Sequence, residues 1–269
     1  MTWQADVAAY RAVIGSRMRS QRSHRGNFRI DLTSSLLVGL IELAEVWVLF
    51  HNVPRIGGVG FTEMLLVFGL ADCAYSVADM IFGHCDRLPD FIRAGTLDAF
   101  YLRPQPVLLQ LITSDISLRR LARTVVGLVA LTAGLCLADI DWSVAKAALV
   151  VLAVACGFAI FAAAFVWAAG MQFFLIDGAE ATNAVVYGGR YAASQPASVW
   201  NKPLKVLFVF AFPMAFTAYL PAVQLLGLPG PSWLPSWLGW CGPVAAVWAW
   251  LLALLTWRVG VRHYQGGGG

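Results

Sequence analysis

Long apolar runs separated by short polar stretches dominate this chain. About 20 apolar residues cross the hydrocarbon core of a bilayer as a helix. On that length the pattern predicts six spans, roughly 31–52, 61–83, 121–138, 144–168, 204–226 and 237–257. The third extends back toward Pro106 as a polar-faced inner helix, because PVLLQLITSDISLRR keeps helical periodicity. The fourth is rich in alanine and glycine, with Ala155, Ala159 and Ala163 on one predicted face, which suits close helix packing. The fifth carries Pro213 and Pro221, so a kink is expected there. Ahead of the first span, Trp3, Val7, Tyr10, Ile14 and Met18 recur three to four apart with Arg11, Arg17 and Arg19 off that stripe. That spacing predicts a basic amphipathic helix lying in the membrane interface. The expected fold is an all-α integral membrane protein. Residues 1–30 carry the N-terminal amphipathic helix, 31–258 the six-span domain and 259–269 a tail.

The stretch from Asp86 to Pro104, DRLPDFIRAGTLDAFYLRP, joins the second and third spans and is only half apolar. Leu88, Phe91 and Ile92 fall at i, i+3 and i+4 and so share one face of a short helix, while Arg87, Asp90 and Arg93 take the other. Pro89 suits its first turn, Asp86 its cap and Gly95 the position just past its end. Periodicity alone fits two readings, a helix resting on lipid headgroups or one inserted into a groove of a cytoplasmic partner. A second interfacial helix is expected at GAEATNAVVY (178–187), ended by Gly188 and Gly189.

Composition agrees with a membrane chain: 59% of residues are hydrophobic and 13% charged, against about a quarter charged in soluble domains. The first thirty residues are too charged for a secretory signal peptide. Counting basic residues orients the spans. With the N-terminus in the cytoplasm, seventeen of nineteen lysines and arginines fall in cytoplasmic pieces, Arg55 and Lys146 being outside. The positive-inside rule then places both termini, and the 86–104 stretch, on the cytoplasmic side. Because the basic residues sit in those loops, the net charge of +4 does not point to nucleic acid.

Candidate chemistry is sparse. A phosphate-binding loop needs Gly-Lys-Ser/Thr, and none of Lys146, Lys202 and Lys205 follows a glycine, so hydrolysis of ATP is not expected of this chain. The four histidines are scattered, without metal-ligand spacing. The five cysteines form no CxxC pair and read as small buried hydrophobes. The unusual polar groups are carboxylates inside spans. Glu42 and Glu45 lie three apart on one face of the first, and Asp72 lies mid-span in the second, with Asp79 seven residues on. Each such charge costs roughly 2.5–3.5 kcal/mol at the bilayer centre, and no lysine or arginine is expected at that depth. Three explanations stay open: protonated helix contacts, a wet cavity that attracts a cationic substrate, or pairing with another subunit.

LPDFIRAGTLDAFYLRP, with DMIFGHCDR before it, resembles the permease subunits of ABC-2 type exporters, in particular a short six-span branch; AEATNAVVYGGRYAASQP (179–196) and WRVGVRHYQ (257–265) resemble the same branch in the same order. The resemblance implies an ATP-driven exporter of amphiphilic or cationic compounds in the bacterial cytoplasmic membrane. It implies two copies of a separate ATP-binding cassette subunit that hold ATP and Mg, and a second permease, identical or homologous. It also implies that Arg87, Leu88, Asp90, Phe91, Ile92 and Arg93 form the motor-coupling helix, with Leu88, Phe91 and Ile92 as its inserted face. Glu42, Glu45 and Asp72 are the candidates for a substrate path. The competing readings are a proton-coupled secondary transporter that uses those carboxylates and a non-transporting membrane scaffold.

Overall fold

The computed structural model describes residues 25–56, 58–114, 117, 120–175, 179–196, 200–228 and 235–264, with Gly15 besides. The amphipathic helix expected before the first span lies outside the described residues, as does the end of the chain from residue 265. The described residues form helices with no β-strand, and one isolated bridge pairs Ile56 with Val59. In chain order the helices are α1 (Arg25–Asn52), α2 (Phe61–Phe82), α3 (Leu88–Arg93), α4 (Asp98–Tyr101), α5 (Val107–Thr113), α6 (Leu121–Leu137), α7 (Val144–Gln172), α8 (Ala179–Ala193), α9 (Lys202–Val206), α10 (Tyr219–Leu226) and α11 (Gly242–His263). Among the described residues four helical stretches are long and apolar enough to cross a membrane: Phe28–Asn52, Phe61–Arg93, Val144–Gln172 and Trp237–His263. Leu121–Leu137 and Met214–Leu226 are apolar but shorter.

Helix α2 is apolar almost all round, and such a helix belongs inside a bundle. It is the central post: Met64 to Ser76 is buried without interruption, against α6, α7, α1 and α8. Helix α1 is equally apolar yet peripheral, with Leu37, Ile41 and Trp47 more than half exposed. In a bilayer that face meets acyl chains, which solvate it as well as another helix would.

Glycines set the spacing of the close helix pairs. A Cβ on Gly134 would sit 2.7 Å from the Leu66 backbone, and one on Gly127 2.8 Å from the Cys73 nitrogen, so α6 touches α2 backbone to backbone. Gly170 does the same for α7 against Trp257 of α11, at 2.8 Å. The small-residue face of α7 matches its alanine spacing only in part: Ala163 is buried and Ala159 half-buried, whereas Ala155 is exposed, and Ala153, Cys156, Gly157 and Ala164 are buried as well.

The fifth apolar run departs from the expected kinked span. It is broken into α9, a π-helical turn (Leu207–Ala211), a 3-10 turn (Met214–Phe216) and α10. Pro213 explains the break: it has no N–H for a helical bond and drives Phe212 to an extended φ of −116° and ψ of 101°. Pro221 falls in the first turn of α10, where an N–H has no helical partner anyway.

Helix α8 also outruns expectation, passing through Gly188 and Gly189 to Ala193. Two helical glycines cost about 1 kcal/mol each, but Val186 before them and Ala193 beyond them are fully buried, and that packing carries the helix on. Thr182 receives a hydrogen bond from Gln172, which also binds the Asp86 carbonyl, and Arg190 reaches Asp72. Helix α8 therefore runs antiparallel to α2, from the level of Asp86 up to that of Asp72.

Candidate functional site

Four helices each bring one charge to the same point. Glu42 comes from α1, Asp72 from α2, Arg123 from the first turn of α6 and Arg190 from the last turn of α8. Arg190 donates to Glu42 Oε1 at 2.9 Å and to Asp72 Oδ1 at 2.7 Å, and it also pairs with Glu42 Oε2. Arg123 donates to Asp72 Oδ1 at 3.1 Å and pairs with Glu42 Oε2. The Asp72 side chain is 1% exposed, and Arg190, Arg123 and Glu42 are 12%, 14% and 22% exposed. Two acids and two bases make the cluster neutral, which is the condition for holding charge at depth.

Tyr75 floors the cluster. Its ring lies 4.8 Å from the Arg190 guanidinium carbon and 5.4 Å from that of Arg123, and it packs edge-on to Phe161 of α7. An aromatic face is attractive to both cations. One turn further along α2, Asp79 pairs with Arg120, which also donates to the Asp79 carbonyl at 2.7 Å. Gly83 makes that pair possible, because a Cβ there would occupy the place of the Arg120 guanidinium.

These pairs overturn one expectation outright. No basic partner was expected at the depth of Glu42 and Asp72, yet both are paired within the chain. By sequence, Arg123 and Arg190 fall among the cytoplasmic loop charges. The RRLAR run opening the third span and the YGGR of 187–190 were the signals available. What they could not reveal is that α8 climbs beside α2.

Glu45 stands apart. It is exposed, and among the described residues it has no hydrogen-bond or ion-pair partner. It lines a cleft of about 240 Å³ between α1, α2 and α8, with Glu42 and Arg190 at one end and Leu49, Phe50, Met64 and Phe68 along the walls. The substrate-path candidates thus divide: Glu42 and Glu45 face the cleft, whereas Asp72 is sealed beneath Arg190.

The 86–104 stretch folds as a shelf on the chain's own core. Helix α3 forms over Leu88–Arg93 with Pro89 in its first turn, and Gly95 follows it at φ +65°. Leu88 is 0% and Ile92 9% exposed, and Phe91 packs on Phe100 with ring centroids 5.6 Å apart. The apolar face assigned to a partner's groove is therefore occupied by the chain itself. The outward side carries Arg87 and Asp90, 65% and 62% exposed, then Arg93 and the 88%-exposed Leu102. Asp86 does not cap α3; its carboxylate accepts a hydrogen bond from Tyr187 of α8 at 2.9 Å. Asp98 accepts one from Tyr264, just past α11, at 2.8 Å. The shelf is thereby tied to α8 and α11.

Comparison with known proteins settles the kind of chain this is. A family model described as "ABC-2 family transporter protein" matches residues 36–268. The chain belongs to the ABC-2 transporter family. It is a membrane permease subunit, and its class works with an ATP-binding cassette subunit. No curated protein and no solved structure matches it. In this ABC-2 permease the match covers the cluster, the cleft and the shelf.

Burial, with the Asp86 charge adding to it, pushes the Tyr187 phenol well above its ordinary value, so it remains a donor to Asp86. Tyr187→Phe should cost about 1.5–3 kcal/mol, the range for a hydrogen bond to a charged group. The measurement is the thermal unfolding midpoint of the detergent-solubilised permease. The ring contacts of Tyr187 with Tyr75 and Phe165 remain in the variant, so a drop reports the lost hydroxyl.

Proposed function

We infer that this ABC-2 permease crosses the bacterial cytoplasmic membrane six times, with both termini in the cytoplasm, and exports an amphiphilic or cationic compound on ATP hydrolysis. Two copies of a separate cassette ATPase hold the ATP and Mg, and a second permease, identical or homologous, completes the complex. The basic residues of the loops support the orientation. Helix α6 runs antiparallel to α2, since Gly127 meets Cys73 and Gly134 meets Leu66, and α11 runs parallel to α7, since Gly242 meets Cys156 and Gly170 meets Trp257, which supports six crossings.

One observation carries the coupling: the 86–104 shelf is anchored through Leu88, Ile92, Asp86 and Asp98, yet turns Arg87, Asp90, Arg93 and Leu102 outward. A surface that receives force must be rigid beneath and open above. Tyr187 then relays displacement of Asp86 to α8, whose last turn holds Arg190 at the end of the cleft. A proton carrier is disfavoured, because Glu42 and Asp72 are already engaged in ion pairs with two arginines of the same chain.

The test is retention of the ATPase by the purified permease. Arg87→Glu, Arg93→Glu and Leu102→Asp together should reduce it by at least about tenfold, as reversed charges and a buried acid do at interfaces, while membrane insertion is unchanged. Equal retention by the triple variant sinks the coupling assignment. Failure of the native chain to hold any cassette ATPase would return it to the scaffold reading.

A further inference from the structure

The cleft between α1, α2 and α8 is polarised along its length. Glu42, Glu45 and Leu49 lie on one α1 face at i, i+3 and i+7, so the cleft runs about 10 Å along the helix. One end is charged, with Glu42, Glu45 and Arg190; the other is apolar, with Leu49, Phe50, Met64 and Phe68. Ser194 and Gln195 of the segment after α8 add a polar wall. At the charged end the tally is uneven. Both terminal nitrogens of Arg190 are committed to Glu42 and Asp72, and Arg123 is committed to the same two acids. Glu45 is left as one negative charge on the cleft wall, three residues from a cluster that is already neutral.

We propose that this cleft is a binding site for a small monovalent organic ammonium, its cationic head at Glu45 and its apolar body along Leu49, Phe50, Met64 and Phe68. This deepens the exporter reading and rests on it only for the direction of movement. A single unpaired carboxylate selects one positive charge; a second would face Arg190. The volume of about 240 Å³ lies below the usual range of drug-sized pockets, about 300–1,000 Å³, so the body is no larger than one ring or a short chain. The same chemistry is presented by a free amphiphilic amine and by the ammonium headgroup of an ethanolamine lipid.

The experiment uses the full chain in nanodiscs of phosphatidylglycerol and a neutral glycosyl diacylglycerol, neither of which carries an ammonium, with radiolabelled benzyltrimethylammonium as the probe. Saturable binding is expected. Glu45→Gln should weaken it at least about tenfold, the scale of a close charge pair. Leu49→Trp, which fills the apolar end and leaves every charge, should weaken it as well. Neopentylbenzene, the neutral isostere, should not compete. The proposal is overturned if the native chain shows no saturable binding, if Glu45→Gln binds as tightly, or if the neutral isostere competes equally.

Repeating the measurement with phosphatidylethanolamine in the discs separates the sources. A fall in apparent affinity identifies the lipid ammonium as an occupant of the Glu45 site, and an unchanged value assigns the site to free amphiphiles. Retention of the ATPase is scored on the same preparations. Its loss in every sample would count against the exporter reading alone, and the binding result stands or falls without it.

Discussion

Replacing Arg190 by methionine should lower the permease's thermal unfolding midpoint by roughly 10 °C. The substitution keeps an unbranched chain of similar length but removes one of two cations from a neutral group of four charges. Glu42 and Asp72 are then left with Arg123 alone, and one buried negative charge is uncompensated. Breaking such a pair from one side costs about 3–5 kcal/mol, and each kcal/mol moves the midpoint of a chain this size by about 2–4 °C. Arg190→Lys should fall between the two, because an ammonium restores the charge but not the planar fork that serves both acids at once. The decisive control is Arg190→Met with Asp72→Asn, which returns the cluster to one acid and one base. It should recover more than half of the lost midpoint, and the double-mutant cycle isolates the coupling from packing. If the double variant is no better than Arg190→Met, the loss is steric and the cluster is not an electrostatic unit.

That cluster also marks where the sequence stops being informative. The carboxylates were visible as anomalies, since charge in an apolar run is costly wherever it lies. Their partners were not, because an arginine in a polar stretch between spans is unremarkable. Arg190 becomes a partner only through the course of α8, and that course depends on α8 continuing past Gly188 and Gly189, against local propensity. The coupling stretch gives a similar lesson at shorter range. Periodicity placed Leu88, Phe91 and Ile92 on one face, and they do share one. Periodicity cannot say whether an apolar face meets a partner, a lipid or its own chain, and here the last of these occupies it. A lone leucine beside Arg103-Pro104 carries no periodic signal, yet Leu102 is the shelf's most exposed apolar side chain. The covalent chemistry of Pro213 predicts a kink. The size of the disruption, from a bend to separate helices, follows from how the neighbours pack around Phe212, which stacks edge-on with Trp167 at 4.6 Å.

The second large effect is a pair of identical substitutions with opposite signs. Gly69→Ala should destabilise the permease by about 1–3 kcal/mol, the cost of overpacking a tight interface. Its new methyl would fall on the backbone of Ala130 and Leu131 in α6, atoms that no rotamer change can move aside. The helices must part instead, and α6 would carry Arg123 away from Asp72 and Glu42, so the damage spreads from packing to the charge cluster. Gly188→Ala should do the reverse. No atom lies within 4 Å of the position a Cβ would take there, and the residue sits inside α8. Alanine then gains roughly 0.5–1 kcal/mol by reducing the freedom of the unfolded chain and favouring the helix. Unfolding midpoints of the two variants, measured side by side in one detergent, should lie on opposite sides of the native value. If Gly69→Ala is silent, α2 and α6 do not touch backbone to backbone, and the cluster geometry that hangs on their spacing fails with them. If Gly188→Ala destabilises, α8 does not run unbroken through its two glycines, and Arg190 loses its route to Asp72.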